Sequence, residues 1–370
     1  MIRQFINRYK RLRTEHFLAQ TYQYSYAFVG MGQHSLTNLY PVLHYLGVPL
    51  KYICVTSERK VRQIKQKYRV KATTSLDILL NDDEVKGMFV SASPSAHFSI
   101  ASQILKSGKS LFIEKPPCQS LAELDALIAL QRLHASPTAM VGLQQRHAPA
   151  VQLLRERLNK EHLVSYDLQY LTGAYPEGDA LLDLHIHPLD LVVHLFGRPE
   201  ILACHRVAPS SYLLMLRHPK IAGTLELSTA YSWTAAEETL KVCTNSGIYY
   251  LSQMEELSYE PIPSTVFGLP SEKIHPWKKS IECLYTRNNF TPILPNNQIH
   301  SQGYFNEIQA FVDAVEGHRN NVVSSIETIR DTYRLIETIK PHPQPLSDKP
   351  HPQPLSDKPH PQPLSEGRGE

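Results

Sequence analysis

The chain has 370 residues, 42% hydrophobic and 20% charged, a composition that suits a globular protein with room for two domains, each with its own core. No apolar run approaches the roughly 20 residues of a membrane span, and the basic first residues lack the long apolar segment of a secretory signal. The net charge of +3 is local: residues 1–24 carry Arg3, Arg8, Lys10, Arg11 and Arg13 against Glu15, residues 341–370 are slightly acidic, and the body between is neutral, which argues against a nucleic-acid-binding body.

Residues 1–24 place Ile2, Phe5, Ile6, Tyr9 and Leu12 at helical spacing between basic residues, an amphipathic arm. Such an arm is expected to pack on its own protein or a partner subunit, because one basic helix with few bulky anchors binds a membrane surface weakly. From residue 25 to 146 apolar strands alternate with helices: strands at 25–32, running into glycines, 50–56 and 85–91, one that stops at Glu114, and one at 139–143, with helices between them. Ser75 stands where it can cap a helix. Alternation of this kind implies a parallel sheet with right-handed crossovers, so 25–146 is read as a nucleotide-binding Rossmann domain.

After residue 146 the pattern changes. A helix over 148–158 is followed by strand-like runs at 164–171, 201–207, 212–216, 223–229, 239–244 and 248–251, the later ones without intervening long helices. This predicts an α+β domain over 147–340 with a mostly antiparallel open sheet, closed by helices over 304–315 and 325–339. Residues 258–300 are rich in Pro, Asn and Ser and receive no assignment. From Lys340 the unit KPHPQPLSD repeats nearly three times, and nine of the 27 prolines lie after Ile339. The tail 341–370 has almost nothing to bury and is expected to be disordered or polyproline II. The five cysteines, at 54, 118, 204, 243 and 283, are odd in number and form no CxxC pair; neither a disulfide framework nor a zinc site is suggested, and a reduced, cytoplasmic protein is expected.

Three groups of residues carry chemistry. Gly30-Met31-Gly32-Gln33-His34-Ser35 follows a strand and opens a helix; the glycines permit a tight turn and close approach of a pyrophosphate to the backbone at a helix N-terminus. At the end of the second strand, where an NAD site commonly has an acidic residue, the chain reads Thr56-Ser57-Glu58-Arg59. Small hydroxyls beside a guanidinium favour the 2′-phosphate of NADP, while Glu58 keeps NAD open; the plainer reading is that Glu58 and Arg59 begin a solvated helix. The stretch 90–120 reads as strand, turn, helix and strand ending at Glu114-Lys115-Pro116, with Lys115 at the carboxyl end of a parallel strand, where ligands of open α/β sheets collect. Finally, Asp183 and His187 lie four apart in DLHIHPLD, so on a helix they share a face, and a histidine there can pass a proton as an alcohol becomes a carbonyl. His185 reads as structural, and zinc bound by His185, His187 and Asp190 is an alternative that the i, i+2 spacing suits poorly.

Taken together, these features resemble the Gfo/Idh/MocA family of nicotinamide-dependent oxidoreductases over residues 25–340. The matching pieces are Gly30 and Gly32 of the GxGxx(G/A) turn, VSASPSAH ending at His97, SGKSLFIEKP, Val141, Gly142, Arg146 and Pro149 of VGxxxRxxP, and Asp183, His187 and Asp190 of DxxxHxxD. The nearest flavour is that of virulence-factor-like predicted dehydrogenases. Ser35 departs from the third glycine. The resemblance implies hydride transfer between NADP (favoured) or NAD and a secondary alcohol or carbonyl of a sugar, cyclitol or nucleotide-sugar. It implies Lys115, His187 and Asp183 as catalytic residues, with Arg146 joining them at the substrate. It implies Gly30, Gly32, Gln33, His34, Ser57, Arg59, Ser93, Pro94, His97, Glu114 and Lys115 around the cofactor. A homodimer or homotetramer through the C-terminal sheet is expected. The competing reading is a catalytically silent NAD(P)-binding sensor of the same fold.

Overall fold

The computed structural model describes residues 2–19, 21–134, 136–176, 178–273, 280–289, 297–318 and 322–340. The proline-rich repeats at 341–370 lie outside them. The basic arm is a helix, α1 (Ile2–Ala19). It does not bury its apolar row in its own protein: Ile2, Phe5, Ile6, Tyr9 and Leu12 are all exposed. The chain is anchored just after it. The Tyr22 hydroxyl donates to Asp313 at 3.1 Å, and the backbone N–H groups of Gln23 and Tyr24 donate to the Glu316 carboxylate.

The first sheet is built from β1 (Ser25–Val29), β2 (Leu50–Cys54), β3 (Lys71–Thr73), β4 (Val85–Val90), β5 (Ser110–Glu114) and β6 (Ala139–Gly142). They lie in the order β3-β2-β1-β4-β5-β6, all parallel. This is the order of a dinucleotide-binding fold. The central strands read as unbroken apolar runs because both faces are covered; every residue of β5 is buried. A short π-helical turn (Ser35–Leu39) runs into α2 (Tyr40–Tyr45), and the crossovers continue with α3 (Glu58–Tyr68), α4 (Leu76–Leu80), α5 (Pro94–Lys106) and α6 (Leu121–Leu133). Ser75 occupies the N-cap position of α4 without a side-chain capping bond; Ser57 caps α3, its hydroxyl accepting from the Lys60 N–H. The strand order reverses between β1 and β4, where a crevice opens beyond their carboxyl ends.

A 3-10 turn (Gln144–His147) and α7 (Pro149–Leu158) lead to the second sheet. Its strands are β7 (Leu163–Leu171), β8 (Glu200–Ala208), β9 (Ser211–Arg217), β10 (Ala222–Ser228), β11 (Glu237–Thr244), β12 (Gly247–Ser252), β13 (Glu256–Pro261) and a last strand at Glu282–Thr286. All pairings are antiparallel except that of β7 with β10. The fold class read from the sequence is therefore the one observed. β13, the strand at 282–286 and a small hairpin at 265–270 come from the stretch that the sequence left unassigned. Between β7 and β8 lie α8 (Ala180–Asp183) and α9 (Ile186–Phe196). Two late helices, α11 (Tyr304–Val315), preceded by the one-turn α10 (Gln298–Ser301), and α12 (Arg330–Ile339), close the chain. Phe305, Ile308, Phe311 and Val312 of α11 pack on Tyr26, Phe28, Phe89 and Phe112 of the first sheet. Ile336 and Ile339 of α12 join the core shared by both sheets.

Candidate active site

The glycine turn leaves β1 with Gly30 at φ 89°, a left-handed conformation that glycine adopts without strain. A Cβ at Gly30 would lie 2.3 Å from the Ser91 carbonyl oxygen, whereas one at Gly32 would meet nothing within 4 Å. The first glycine lets β1 cross beside β4, and the second faces open space. Ser35, which stands for the third glycine, is fully buried; its hydroxyl donates to Ser91 Oγ at 2.9 Å and ties the turn to the end of β4. A cavity of 530 Å³ opens over this turn, lined among others by Gly30, Gly32, Gln33, His34, Thr56 and Ser93. Its floor of backbone N–H groups at a helix start, without a side chain at Gly32, fits a dinucleotide pyrophosphate. The His34 ring is fixed from both sides. The Asn38 amide donates to Nδ1 at 3.0 Å, so Nε2 carries the proton and donates to Glu114 Oε1 at 3.2 Å.

At the far end of the cavity the structure departs from the sequence reading. Ser57 caps α3 and Arg59 is exposed; neither lines the cavity, whereas Thr56, Lys60 and Thr74 do. The reason is rotation: α3 begins at Glu58, and successive residues of a helix point about 100° apart, so Lys60 rather than Arg59 faces the crevice. Glu58 is drawn aside, its carboxylate accepting from the Thr74 hydroxyl at 3.0 Å. The acidic residue that keeps NAD open does not itself line the cavity, although its partner Thr74 does, and Lys60 is a cation that sequence reasoning missed.

Lys115 follows the last residue of β5, before a cis bond to Pro116. Its Nζ donates to the main-chain carbonyl of Asp183 at 2.6 Å, and burial holds its pKa below the ordinary lysine value, against the opposing charges of Glu114 and Asp183. The Glu114 carboxylate is buried, and besides His34 it accepts from the Lys115 N–H at 3.3 Å. His187 sits in the first turn of α9. Its pKa lies well below 6.5, first through burial and then through the charge of Lys115, so it is a neutral imidazole beside a lysine. Nδ1 is sealed without a partner.

The expected shared helix face of Asp183 and His187 is not present. α8 stops at Asp183, and Leu184 and His185 form a turn before α9. Pro188 supplies the reason: it has no N–H for the Leu184 carbonyl, and its ring would clash there in a continuous helix. Asp183 therefore does not orient His187 through a helical turn. Its carbonyl holds Lys115, and its carboxylate, raised in pKa chiefly by burial, accepts from the Tyr175 hydroxyl at 3.2 Å.

Other residues read as site residues are structural. His97 is buried between the carbonyls of Pro116 (2.8 Å) and Ala92 (3.1 Å); with Pro94, in the first turn of α5, it shapes the turn after β4 and lies outside the cavity lining. Arg146 is 2% exposed and clamps Asp190 through two bonds, at 2.7 and 2.6 Å, so it is a packed ion pair rather than a substrate ligand. His185 is fully buried with Nε2 on the Ser210 carbonyl at 2.8 Å. With Asp190 committed to Arg146 and His185 to Ser210, the zinc alternative loses two of its three ligands, and among the described residues no cluster of metal-ligating side chains is present. Nor, among them, is any helix long and apolar enough to cross a membrane. The sequence also passed over the buried Gln145, Glu238 and Glu307 and the half-buried Tyr170 and Tyr304. None forms a recognisable motif; Gln145 only adjoins the arginine that drew attention.

A six-stranded parallel sheet with a glycine turn at its switch point, joined to a mixed sheet that brings His187 and Asp183 to the end of β5, defines a two-domain Rossmann oxidoreductase. Residues 24–143 match the sequence model of an oxidoreductase family with an NAD-binding Rossmann fold, GFO_IDH_MocA. The chain is 26% identical over 251 residues to the oxidoreductase YceM of Salmonella typhimurium, a match covering 64% of this chain and 81% of that protein. It is 29% identical over 149 residues to the UDP-N-acetylglucosamine 3-dehydrogenase of Acidithiobacillus ferrooxidans, covering 38% of this chain and 45% of that one. A dehydrogenase structure from Chromobacterium violaceum superposes with a TM-score of 0.72 at 19% identity, over 86% of this chain and 95% of that one.

Proposed function

We propose that the protein transfers hydride between NADP and a secondary alcohol or carbonyl on a sugar, cyclitol or nucleotide-sugar, at the cleft between the glycine turn and His187. The observation that carries this reading is the placement of a lysine and a neutral histidine together at the carboxyl end of β5, beside the dinucleotide cavity. A nicotinamide dinucleotide, when bound, supplies or takes the hydride. Gly30, Gly32, Gln33, His34 and Ser93 line the cavity that would hold it. Lys60 supplies a positive charge where the 2′-phosphate of NADP would lie, and no acidic side chain lines the cavity there; this supports NADP over NAD.

His187 takes the hydroxyl proton at Nε2 when an alcohol is oxidised and returns it when a carbonyl is reduced. Its lowered pKa keeps it in the base form near neutral pH, where a proton can be accepted. Lys115 hydrogen-bonds the reacting oxygen and offsets the negative charge that develops there. The Asp183 carbonyl holds the lysine in place, and Glu114 links the same strand end to His34 on the glycine turn. The relative whose name specifies a sugar-nucleotide substrate, the UDP-N-acetylglucosamine 3-dehydrogenase, supports the substrate class. The test is spectrophotometric: purified protein with NADPH or NADP and a panel of keto-sugars, sugars and cyclitols. Turnover with at least one supports the assignment; binding of NADP without turnover on any of them supports the silent sensor instead.

A further inference from the structure

A second cavity lies apart from the dinucleotide site and carries charge that the scheme above does not use. It has a volume of 380 Å³ and is lined among others by Arg146, Arg155, His194, Arg198 and Asp331. It shares no lining residue with the cavity over the glycine turn. Local sequence builds it. α7 buries Val151, Leu154 and Leu158 along one face, and Arg155, in its last turn, is exposed. α9 reaches the same place with His194 in its last turn; Gly197, at φ 85°, then turns the chain and presents Arg198.

Two of the charges there are uncompensated. Arg146 is neutralised by Asp190, and Asp331 accepts from Arg334 Nη1 at 2.8 Å. Arg155 and Arg198 are left: neither guanidinium makes a hydrogen bond or ion pair among the described residues, and both are exposed. Burial first, and then the charges of Arg146 and Arg155, lower the His194 pKa to about 3. Its ring is therefore neutral, and with no hydrogen bond among the described residues it offers a donor or acceptor rather than charge. Arginines also settle at helix C-termini, where they offset the partial negative charge of the last carbonyls. That role accounts for either arginine alone; it does not require guanidiniums from two helices to line one space.

We infer that this cavity is a phosphate-binding site, with Arg155 and Arg198 as its cations. A guanidinium is a planar fork of donors that matches phosphate oxygens bidentately. A phosphate monoester carries about −1.5 to −2 at pH 7, which the two arginines balance. An adjoining cavity of 710 Å³ shares Arg198 and Asp331 and adds Ile201, Pro219 and Leu335, so there is room for the organic body of a phosphorylated small molecule as well as for the free anion. The ligand is not the reactant of the proposed hydride transfer. His187 and His194 stand at opposite ends of α9, about 10 Å apart along the axis, so a molecule held at Arg155 is beyond reach of the hydride.

Equilibrium dialysis of the full-length protein with radiolabelled inorganic phosphate, in chloride buffer at fixed ionic strength, tests this. One phosphate per chain should bind saturably, and glucose 6-phosphate should displace it while glucose does not. Arg155→Gln and Arg198→Gln should each weaken binding about 10-fold, the lower end for a hydrogen bond to a charged group. The unliganded variants should melt within about 2 °C of wild type. Lys60→Ala should leave phosphate binding unchanged, because Lys60 lines the other cavity. Displacement by glucose 6-phosphate at lower concentration than by unlabelled phosphate assigns the site to organic phosphates; equal displacement assigns it to the free anion. Modification of wild type by phenylglyoxal, read by peptide mass spectrometry, needs no variant: phosphate should protect Arg155 and Arg198. Absence of saturable binding, binding unchanged in both arginine variants, loss of binding in Lys60→Ala alone, or failure of phosphate to protect either arginine overturns the inference.

Discussion

Removing Arg146 should cost this protein its stability before its chemistry. The guanidinium holds Asp190 through Nε (2.7 Å) and Nη2 (2.6 Å), and it also donates to the Val323 carbonyl (3.0 Å) and to Thr328 Oγ1 (2.7 Å). Both ion-pair side chains are only 3% exposed. Asp190 receives one further bond, from the Thr332 hydroxyl at 2.9 Å. In Arg146→Met that carboxylate would remain buried with a single neutral donor, and the Val323 carbonyl would lose its partner. Breaking one side of a buried pair costs about 3–5 kcal/mol. At roughly 2–4 °C per kcal/mol for chains of about 150–250 residues, and less for a longer one, the melting temperature should fall by about 10 °C. The assay is thermal unfolding followed by circular dichroism, with KM and kcat measured well below the transition. If Arg146→Met melts within about 2 °C of wild type and instead raises KM, the packed-pair argument is wrong and the residue contacts substrate as the sequence suggested.

Six other changes have defined outcomes. His187→Asn should lose about 10²–10⁴-fold in kcat and Lys115→Met as much or more, with NADP affinity unchanged by fluorescence titration; His185→Asn should lower the melting temperature, because its ring serves the Ser210 carbonyl. Lys60→Ala should weaken NADP binding while sparing NAD, and Arg59→Ala should change neither. Equal binding of the two cofactors by wild type would remove this basis for NADP preference. Gly30→Ala should abolish dinucleotide binding, since its Cβ would lie 2.3 Å from the Ser91 carbonyl at a φ of 89°; a variant that binds as wild type does would show that the turn yields.

What the sequence made legible is what period and punctuation encode. Buried parallel strands are continuous apolar runs, and a glycine pair between strand and helix marks the phosphate turn, so the first sheet and Gly30, Gly32 and Lys115 could be located. Distances across the chain are not encoded in that way. Arg146 stands 44 residues from Asp190, and nothing local reveals that the arginine of one motif is consumed by the aspartate of another. Lys60 was lost to a rotation of one residue about α3. The break between Asp183 and His187 was readable in principle from Pro188, whose missing N–H forbids the helix assumed there. The exposed row on α1 shows that amphipathic spacing states which face is apolar, not what that face meets.

The seating of α11 on the first sheet has a consequence for how the chain acquires its structure. Phe89 and Phe112 rest against Phe311, with ring centroids 5.0 and 5.8 Å apart, so one layer of the Rossmann sheet is finished by residues synthesised roughly two hundred positions later. Until Tyr304–Val315 leaves the ribosome, that aromatic surface is open to water, and to any other nascent chain. The first sheet therefore matures only once Tyr304–Val315 has been made. A fragment ending near residue 146 should associate or precipitate, although it contains every strand of the sheet, and a frameshift late in the gene would disable the earliest part of the fold.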